Sequence, residues 1–320
     1  IPGENTSARA AAELRETSLV KPRGALGRLE EVAHWVAAWQ GRNPPRILKP
    51  SLVIFAGVHG VAVHGVTADT PEMAPRLIKL LQDGQGAVNQ IALSVGAGLK
   101  VFDLGIDMPT PDITVGPAMT ERECAATIAF GMEALADEPD CLALGEISVG
   151  GGTTAAAVAC GLFGGDAQYW VRAGTGVPKE MMALRVEAVT KALTTHRGHL
   201  DDPLEVLRRL GGREMAAMVG AIIAARHQNV PVVLDGFATS VAAAVIHAID
   251  PAATDHCIAA HVSAEPAHAA VLDRIGKRPL LDLELRLGQG IGAALGISLM
   301  VAACEAHANM ATRSAAGWDQ

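Results

Sequence analysis

The sequence has little from which a redox centre or a nucleic-acid surface could be built. Its five cysteines are scattered and form no C-x-x-C pair, which is typical of reduced thiols in a cytoplasmic protein. The formal net charge is −8 at pH 7 and no basic run occurs, so no nucleic-acid partner is expected. Apolar runs such as AAMVGAIIAA are roughly half as long as a membrane span. We therefore predict a cytoplasmic protein with no membrane partner.

The motifs of common hydrolases and metalloenzymes are also missing. The sequence contains no H-E-x-x-H motif, no G-x-S-x-G motif and no P-loop lysine after its glycine-rich segments, so the corresponding chemistries are not supported. Histidines that lie close together in sequence lack acidic neighbours, so no metal site is predicted at the pairs His59/His64, His196/His199 and His256/His261. His59, in the segment AGVHG, is the histidine best placed for a site, although it could simply cap a loop.

Aromatic residues make up only 3% of a chain that is 50% hydrophobic, so the core must consist mostly of alanine, valine, leucine and isoleucine. With 320 residues, the chain can form one large domain or a large domain and a smaller one. Its 34 glycines suggest closely packed helices and several tight junctions between strands and helices.

One unit recurs along the chain: an apolar run rich in β-formers, then a glycine loop, then an alanine-rich helix. The runs are SLVIFAGVHG, LKVFDLGID, DCLALGEISVGGG, VPVVLDG and HCIAAHVS. Continuous apolar strands that alternate with helices predict an α/β fold with a mostly parallel sheet and helices on both faces. Ligands bind at the carboxyl ends of such strands, which is where these glycine loops fall.

The chain ends read differently from the middle. Residues 1–48 predict N-terminal helices, residues 49–285 a large α/β domain, and residues 286–320 a glycine loop and a helix. We expect the last segment to close the site and to join the N-terminal helices in a smaller helical domain. The final ten residues, ATRSAAGWDQ, are predicted to fray.

The segment GEISVGGGTT is the clearest candidate for an anion site. Gly150, Gly151 and Gly152 would let the backbone approach a phosphate closely, and Thr153 or Thr154 could cap the following helix and donate a hydroxyl. A plain helix cap is the alternative. Glu146 lies just before this loop, where its carboxylate could face the same crevice.

Three further glycine segments leave alternatives open. RAGTGV, residues 172–177, is either an ordinary turn or a ligand contact. In LDGFATS, Asp235 could reach a sugar hydroxyl or cap the helix that follows it. In LRLGQGIGAALG, Gly288, Gly290 and Ala293 fit a loose dinucleotide pattern. That pattern needs a further strand with an acidic residue, so a nicotinamide dinucleotide site is not predicted.

Several segments together resemble one family. They are KPRGALGRLEE, IFAGVHGVAVHGVT, GEISVGGGTTAAA, LGGREMAAMVGAIIAA, PVVLDGFATSVAA, HVSAEPAH and LRLGQGIGAAL, in this order from about residue 20 to residue 310. The family is the nicotinate-nucleotide:dimethylbenzimidazole phosphoribosyltransferases of cobalamin lower-ligand synthesis. The resemblance implies a Rossmann-like homodimer that moves phosphoribose from nicotinate mononucleotide to a benzimidazole nitrogen, releasing nicotinate. It implies neither a metal nor an organic cofactor.

The resemblance also implies roles for individual residues. The phosphate and nucleotide contacts would be Gly150, Gly151, Gly152, Thr153, Thr154, Gly174, Thr175, Gly176, Ser263, Arg286, Leu287 and Gly288. Arg185 aligns with a family lysine and could supply the same charge. Glu146 matches a glutamate of the family site, and the other site positions would be His59, Asp235, Glu265 and Gly290.

The sequence departs from the family pattern around the base that is ribosylated. The family's catalytic base is a glutamate, and Gln289 occupies its position. The base pocket would include Val58, Met73 and Ile291, of which Val58 and Ile291 replace polar family residues, and Gly152 replaces an asparagine. Two interpretations remain: an enzyme with an altered base site, in which Glu146 or Glu265 takes over, or an impaired paralogue. Such a paralogue would bind a nucleotide or azole, or form a heterodimer with an active subunit.

Overall fold

A five-stranded, wholly parallel sheet forms the centre of the computed structural model, which describes residues 1–172 and 177–318. The strand order is β2-β1-β3-β4-β5. The strands are β1 (Pro50–Val58), β2 (Gly98–Asp103), β3 (Cys141–Val149), β4 (Val232–Leu234) and β5 (Cys257–Ala259). Each coincides with one of the five predicted apolar runs, although β1 and β2 begin one residue earlier than their runs. A parallel pair, β6 (His261–Val262) and β7 (Leu281–Asp282), stands beside this sheet.

The helices follow the strands as the α/β pattern predicted. They are α1 (Thr6–Ser18), α2 (Arg28–Gln40), α3 (Met73–Gln82), α4 (Ala87–Ser94), α5 (Glu121–Gly131), α6 (Gly151–Phe163), α7 (Ala167–Trp170), α8 (Lys179–Thr195), α9 (Pro203–Leu210), α10 (Arg213–His227), α11 (Phe237–Ile249), α12 (Pro266–Arg274) and α13 (Ile291–Asn309). Single 3₁₀ turns cover Gly60–His64, Met132–Leu135 and Pro251–Thr254.

Side chains alternate between two cores, one on each face of the sheet. Phe55 of β1 and Leu144 of β3 point into a core covered by α6, α8, α9, α10 and α11. Ile54 and Ala143 point to the opposite core, which α2, α3, α4 and α13 cover. Because both faces are buried, the strands read as continuous apolar runs rather than alternating ones. The prediction of helices on both faces is confirmed.

The two ends of the chain pack together. Leu19 forms an isolated antiparallel bridge with Thr312, and the Arg313 N–H donates to the Ser18 carbonyl at 2.8 Å. Arg15 of α1 donates to the carbonyls of His307 and Ala308 at the end of α13. The prediction of a frayed tail was therefore wrong for residues 312–313, because residues at the end of α1 form backbone hydrogen bonds with them. The boundaries at residues 48 and 285 stay a prediction.

Helix α13 is longer and more apolar than the short runs noted in the sequence. Its mean hydropathy of 1.5 over 18 residues would allow it, by length and composition only, to cross a membrane. Within the structure, however, 56% of that window is buried, and Ile297 and Met300 pack in the core beside β1 and β3. A core helix of a soluble protein meets the same criterion.

The strand order places a crevice at the carboxyl ends of β1 and β3. The chain goes from β1 to β2 on one side and then crosses to β3 on the other. Helices that follow neighbouring strands therefore leave the sheet in opposite directions, which opens a crevice where ligands bind in such folds. β1 ends just before His59, and β3 ends just before Gly150.

Candidate active site

A cavity of about 290 Å³ opens at the carboxyl ends of β3 and β4. Many of its lining residues follow a strand or lie at the start of a helix. The lining residues are Glu146, Gly152, Val177, Arg185, Asp235, Gly236, Phe237, Ala238, Thr239, His261, Ser263, Glu265, Leu285, Arg286, Leu287 and Gly288. The structure thus brings together predicted site residues from five separate segments of the sequence.

The start of α6 forms one wall of this cavity. Gly150 adopts a left-handed conformation (φ 89°) and precedes the helix without a side-chain cap. A Cβ on Gly151 would lie 1.8 Å from Ser148 Oγ, whereas a Cβ on Gly152 would meet nothing within 4 Å. The backbone can therefore turn tightly at Gly151 and leave open space above Gly152. The first N–H groups of a helix have no intrahelical partner, so this surface suits an anion.

The two threonines of the α6 loop are both buried, and neither caps the helix. The Thr154 hydroxyl donates to the Gly151 carbonyl at 2.9 Å. The Thr153 hydroxyl is buried and has no hydrogen-bond partner among the described residues. The expectation that Thr153 or Thr154 caps α6 was therefore wrong, because Gly150 occupies the N-cap position and has no side chain.

Glu146 projects from the same face of β3 as Leu144. Leu144 is in the core, whereas Glu146, two residues further along the strand, lines the cavity. Burial raises the pKa of Glu146 to about 7. A hydrogen bond with Ser148 opposes this rise, while the neighbouring Glu214 carboxylate adds to it. At neutral pH, Glu146 can therefore accept a proton and also release one.

A buried ion pair that the sequence patterns did not predict lies behind Glu146. His59 Nε2 is 3.0 Å from Glu214 Oε1, and both side chains are at most 2% exposed. Burial disfavours both charges, but mutual attraction outweighs it, so the pKa of His59 lies above and the pKa of Glu214 below the ordinary value. The available signal was an acidic residue in the otherwise apolar segment EMAAMVGAIIAA.

The pair fits because glycines surround it. A Cβ on Gly57 would lie 2.3 Å from Glu214 Oε2, and a Cβ on Gly212 would lie 2.2 Å from His59 Cε1. His59 is therefore a buried partner of Glu214 just after β1 rather than a simple loop cap.

Asp235 connects β4 to the loop of Gln289. Its Oδ2 accepts the N–H of Gly290 and its Oδ1 accepts the N–H of Ala293, both at 3.0 Å. The alternative that Asp235 caps the helix that follows it was wrong, because both oxygens are directed to the start of α13 instead. His261 lies close by, with Nε2 3.5 Å from Asp235 Oδ1.

The loop of Gln289 is wound in the left-handed region. Gly288, Gln289 and Gly290 have φ values of 69°, 59° and 82°. A Cβ on Gly145 of β3 would lie 2.6 Å from the Gly290 nitrogen, so the loop packs directly on the strand that carries Glu146. Gly288 lines the cavity, and Gln289 is half-buried next to it without being part of that lining.

The opposite wall carries a second carboxyl group and an arginine. Burial raises the pKa of Glu265 to about 7, although the charge of Arg185 opposes the rise. Arg185 donates from Nε to the Val66 carbonyl at 2.6 Å, and burial lowers its pKa. Ser263 contacts His268 Nδ1 through its Oγ at 3.1 Å. Arg286 and Leu287 line the cavity but are mostly exposed.

The three residues expected to form the base pocket lie outside the lining of the cavity. Val58, at the end of β1, and Ile291, the first residue of α13, are 2% and 8% exposed and pack in the same core. Met73 begins α3 and is 37% exposed. None of these three lines the cavity as described, so the base pocket they were assigned to stays a prediction. Gly174, Thr175 and Gly176 lie outside the described residues.

Comparisons with known proteins agree on one family. A family model described as phosphoribosyltransferase matches residues 1–317. The nicotinate-nucleotide–dimethylbenzimidazole phosphoribosyltransferase of Sinorhizobium medicae is 52% identical over 317 residues, which is 99% of this chain and 94% of the relative. The enzyme of that name from Agrobacterium fabrum is 50% identical over 319 residues, covering 100% of this chain and 92% of the relative.

Solved structures show the same similarity. The crystal structure of the phosphoribosyltransferase of that name from Thermus thermophilus has a TM-score of 0.90 and 34% identity, covering 99% of both chains. A structure of CobT from the same organism also has a TM-score of 0.90, with 36% identity over 98% of this chain and 99% of the other.

Proposed function

The chain belongs to the nicotinate-nucleotide–dimethylbenzimidazole phosphoribosyltransferase family, and from this membership we propose that it transfers phosphoribose from nicotinate mononucleotide to dimethylbenzimidazole or a related azole. The observation that carries the proposal is one cavity that combines an open helix start at Gly152 with an ionisable carboxyl group at Glu146. The products would be α-ribazole phosphate and nicotinate.

The start of α6 would hold the phosphate. Its backbone N–H groups point out of the helix, and the space above Gly152 is open. The positive end of the helix dipole favours an anion there without any net positive charge on the chain. Arg185, on the cavity wall, would add one positive charge.

The chemical step needs one proton acceptor. A benzimidazole nitrogen attacks the ribose C1′, and the bond from C1′ to the nicotinate nitrogen breaks. Nicotinate leaves from a positively charged pyridinium ring and takes up that electron pair, so the leaving group needs no general acid. The benzimidazole N–H then loses its proton.

Glu146 would accept that proton in place of the missing family glutamate. Gln289 cannot take up a proton as a carboxylate can, whereas the pKa of Glu146 is raised to about 7, close to the optimum for a general base at neutral pH. Glu265, with its pKa also near 7, is the second carboxyl group that could serve. The reaction would therefore still have a general base, supplied by Glu146 rather than by residue 289.

An impaired paralogue is the second candidate, and Gln289 is the observation that favours it. Such a protein would bind nicotinate mononucleotide or an azole with little turnover, or act beside an active subunit in a heterodimer. We propose a cytoplasmic homodimer for the active form, and light scattering of the purified chain would measure its mass in solution.

Incubation of the pure protein with nicotinate mononucleotide and dimethylbenzimidazole tests the proposal. We expect nicotinate release that depends on the azole. Chromatography of the reaction mixture measures this release. Calorimetry with nicotinate mononucleotide tests the phosphate site separately. Binding without release would favour the impaired paralogue, and the absence of both would contradict both candidates.

A further inference from the structure

Three side chains from distant parts of the sequence meet where α1, α2 and α13 pack together. His307 Nδ1 lies 2.7 Å from Glu16 Oε2, and His34 Nε2 lies 3.6 Å from the same oxygen. One ligand atom from each of these residues lies within 4.8 Å of the others. His307 follows Gly290 by 17 residues along α13, about 25 Å at the rise of an α-helix, so this cluster is separate from the cavity.

With the side chains as placed, the hydrogen bonds within the cluster do not close around a neutral His307 imidazole. His307 contacts Asn43 Oδ1 at 3.1 Å through Nε2 and Glu16 Oε2 at 2.7 Å through Nδ1. Both oxygens are acceptors, and a neutral imidazole has only one N–H. If Nε2 carries the hydrogen, Nδ1 turns a lone pair towards a carboxylate.

His34 adds a second imidazole nitrogen that faces the Glu16 carboxylate without a hydrogen bond. Its Nε2 is buried and has no hydrogen-bond partner among the described residues, although it faces Glu16 Oε2. An unpaired polar atom at a buried site costs about 1–3 kcal/mol. A positive ion between the three atoms would satisfy His34, His307 and Glu16 together.

The surrounding groups hold the three side chains as metal ligands are usually held. Glu16 Oε1, its outer oxygen, lies 2.7 Å from Lys21 Nζ, and Lys21 Nζ lies 2.6 Å from Glu30 Oε1. Asn43 holds the outer nitrogen of His307. Such outer contacts fix the tautomer and the orientation of metal ligands. The charge of Lys21 is matched by Glu30, so Glu16 still offers a negative oxygen to the centre.

We propose that Glu16, His34 and His307 bind one divalent transition-metal ion, with Zn²⁺ as the best fit. Two imidazoles and one carboxylate form a donor set that suits Zn²⁺. The ion would tie the N-terminal helices to the last turn of α13. The histidine pairs judged from the sequence included neither His34 nor His307, because these ligands are not neighbours along the chain.

Titration of the EDTA-treated full chain with ZnCl₂ by calorimetry, and with CoCl₂ by visible absorption, tests the site without any activity assay. We expect one ion per chain and a Co²⁺ spectrum typical of mixed nitrogen and oxygen ligands. His34→Gln and His307→Gln should each weaken binding at least about tenfold, the low end of what loss of an outer contact alone costs. The matched control is His196→Gln, since His196 is a buried histidine that contacts the Ile113 carbonyl.

His34→Gln is the decisive variant, because His34 Nε2 has no hydrogen-bond partner to lose among the described residues and the fold should survive. Absence of binding in the wild-type chain would overturn the proposal. In that case the Asn43 amide is turned over, and the His307 proton lies between Nδ1 and Glu16. Equal affinity in the wild-type chain, His34→Gln and His307→Gln would also overturn it.

Discussion

The Asp235 carboxylate fixes the backbone of Gly290, whose N–H donates to Asp235 Oδ2 at 3.0 Å. This contact joins the end of β4 to the loop that carries Gln289, 55 residues further along the chain. Its second oxygen takes the N–H of Ala293, so one buried side chain sets the position of the whole start of α13.

Asp235→Ala should therefore reduce both stability and turnover. Hydrogen bonds to a charged acceptor contribute about 1.5–3 kcal/mol each, and we expect a loss of about 3 kcal/mol in the free energy of unfolding by urea. Because Gln289 and Gly288 would shift with the loop, kcat should fall about tenfold or more, equivalent to ~1.4 kcal/mol. Asp202→Ala removes a surface cap from α9 and should cost about 1 kcal/mol with kcat unchanged. Equal kcat in both variants would contradict the role of Asp235.

Gly152→Ala and Gly151→Ala should have opposite effects on stability. The new methyl group at residue 152 enters open space in the cavity. It should stabilise the chain by about 0.4–1 kcal/mol yet raise KM for nicotinate mononucleotide, because it occupies the place proposed for the phosphate. At residue 151 a Cβ would lie 2.6 Å from Ser148 Cβ, and overpacking of this kind costs about 1–3 kcal/mol. Thermal unfolding and initial rates measure both, and an unchanged KM in Gly152→Ala would place the phosphate elsewhere.

The pH profile of kcat/KM should carry the signature of Glu146. A general base acts only when it is deprotonated, so the rate should rise with pH through about 7, the raised pKa of Glu146, and level off above it. Glu146→Gln should remove this rise and lower kcat about 10²–10⁴-fold, with KM for nicotinate mononucleotide little changed. Glu205→Gln is the control, because Glu205 pairs with Arg208 and Arg209 on α9. A profile that survives in Glu146→Gln would point to Glu265.

Gln289→Glu should raise turnover, because it returns a carboxylate to the position of the family base. The expected gain in kcat is at most about 10²–10⁴-fold. The gain should be smaller if Glu146 already acts efficiently as the general base. Gln289→Asn is the control, since asparagine tolerates the left-handed φ of 59° but adds no charge. Nicotinate release measures all three chains. If wild-type turnover is absent and Gln289→Glu does not restore it, the simple loss of a base is the wrong account and the pocket itself differs.

The strands and the α6 loop could be predicted because their signals are local. A run such as CLALGEISV followed by GGG specifies a buried strand and a tight helix start by itself. The site residue Asp235 was also found from its position after a strand, and it lines the cavity. Of the two roles offered for it, the helix cap was wrong, because the start of α11 lies next to Asp235 in sequence while the start of α13 lies next to it in space. The contact with a sugar hydroxyl stays a prediction.

Pairs of residues far apart in the chain could not be found in this way. Glu16 and His307 are 291 positions apart, and neither stands in a motif. Glu214 lies two residues after a glycine pair, but nothing in its segment indicates that His59 is its partner. Each contact depends on how helices pack on the two faces of the sheet, and that packing is decided by the shapes of many side chains together.

The sequence by itself determined the parallel α/β architecture, the family and the glycine-rich start of α6, because hydrophobic periodicity and glycine positions act within a few residues. Only the tertiary structure decided what surrounds Glu146, what holds the Gln289 loop and which histidines meet Glu16. The surroundings of Glu146 set its pKa, since burial and the charges of Glu214, His59 and Asp235 act on it through space rather than along the chain.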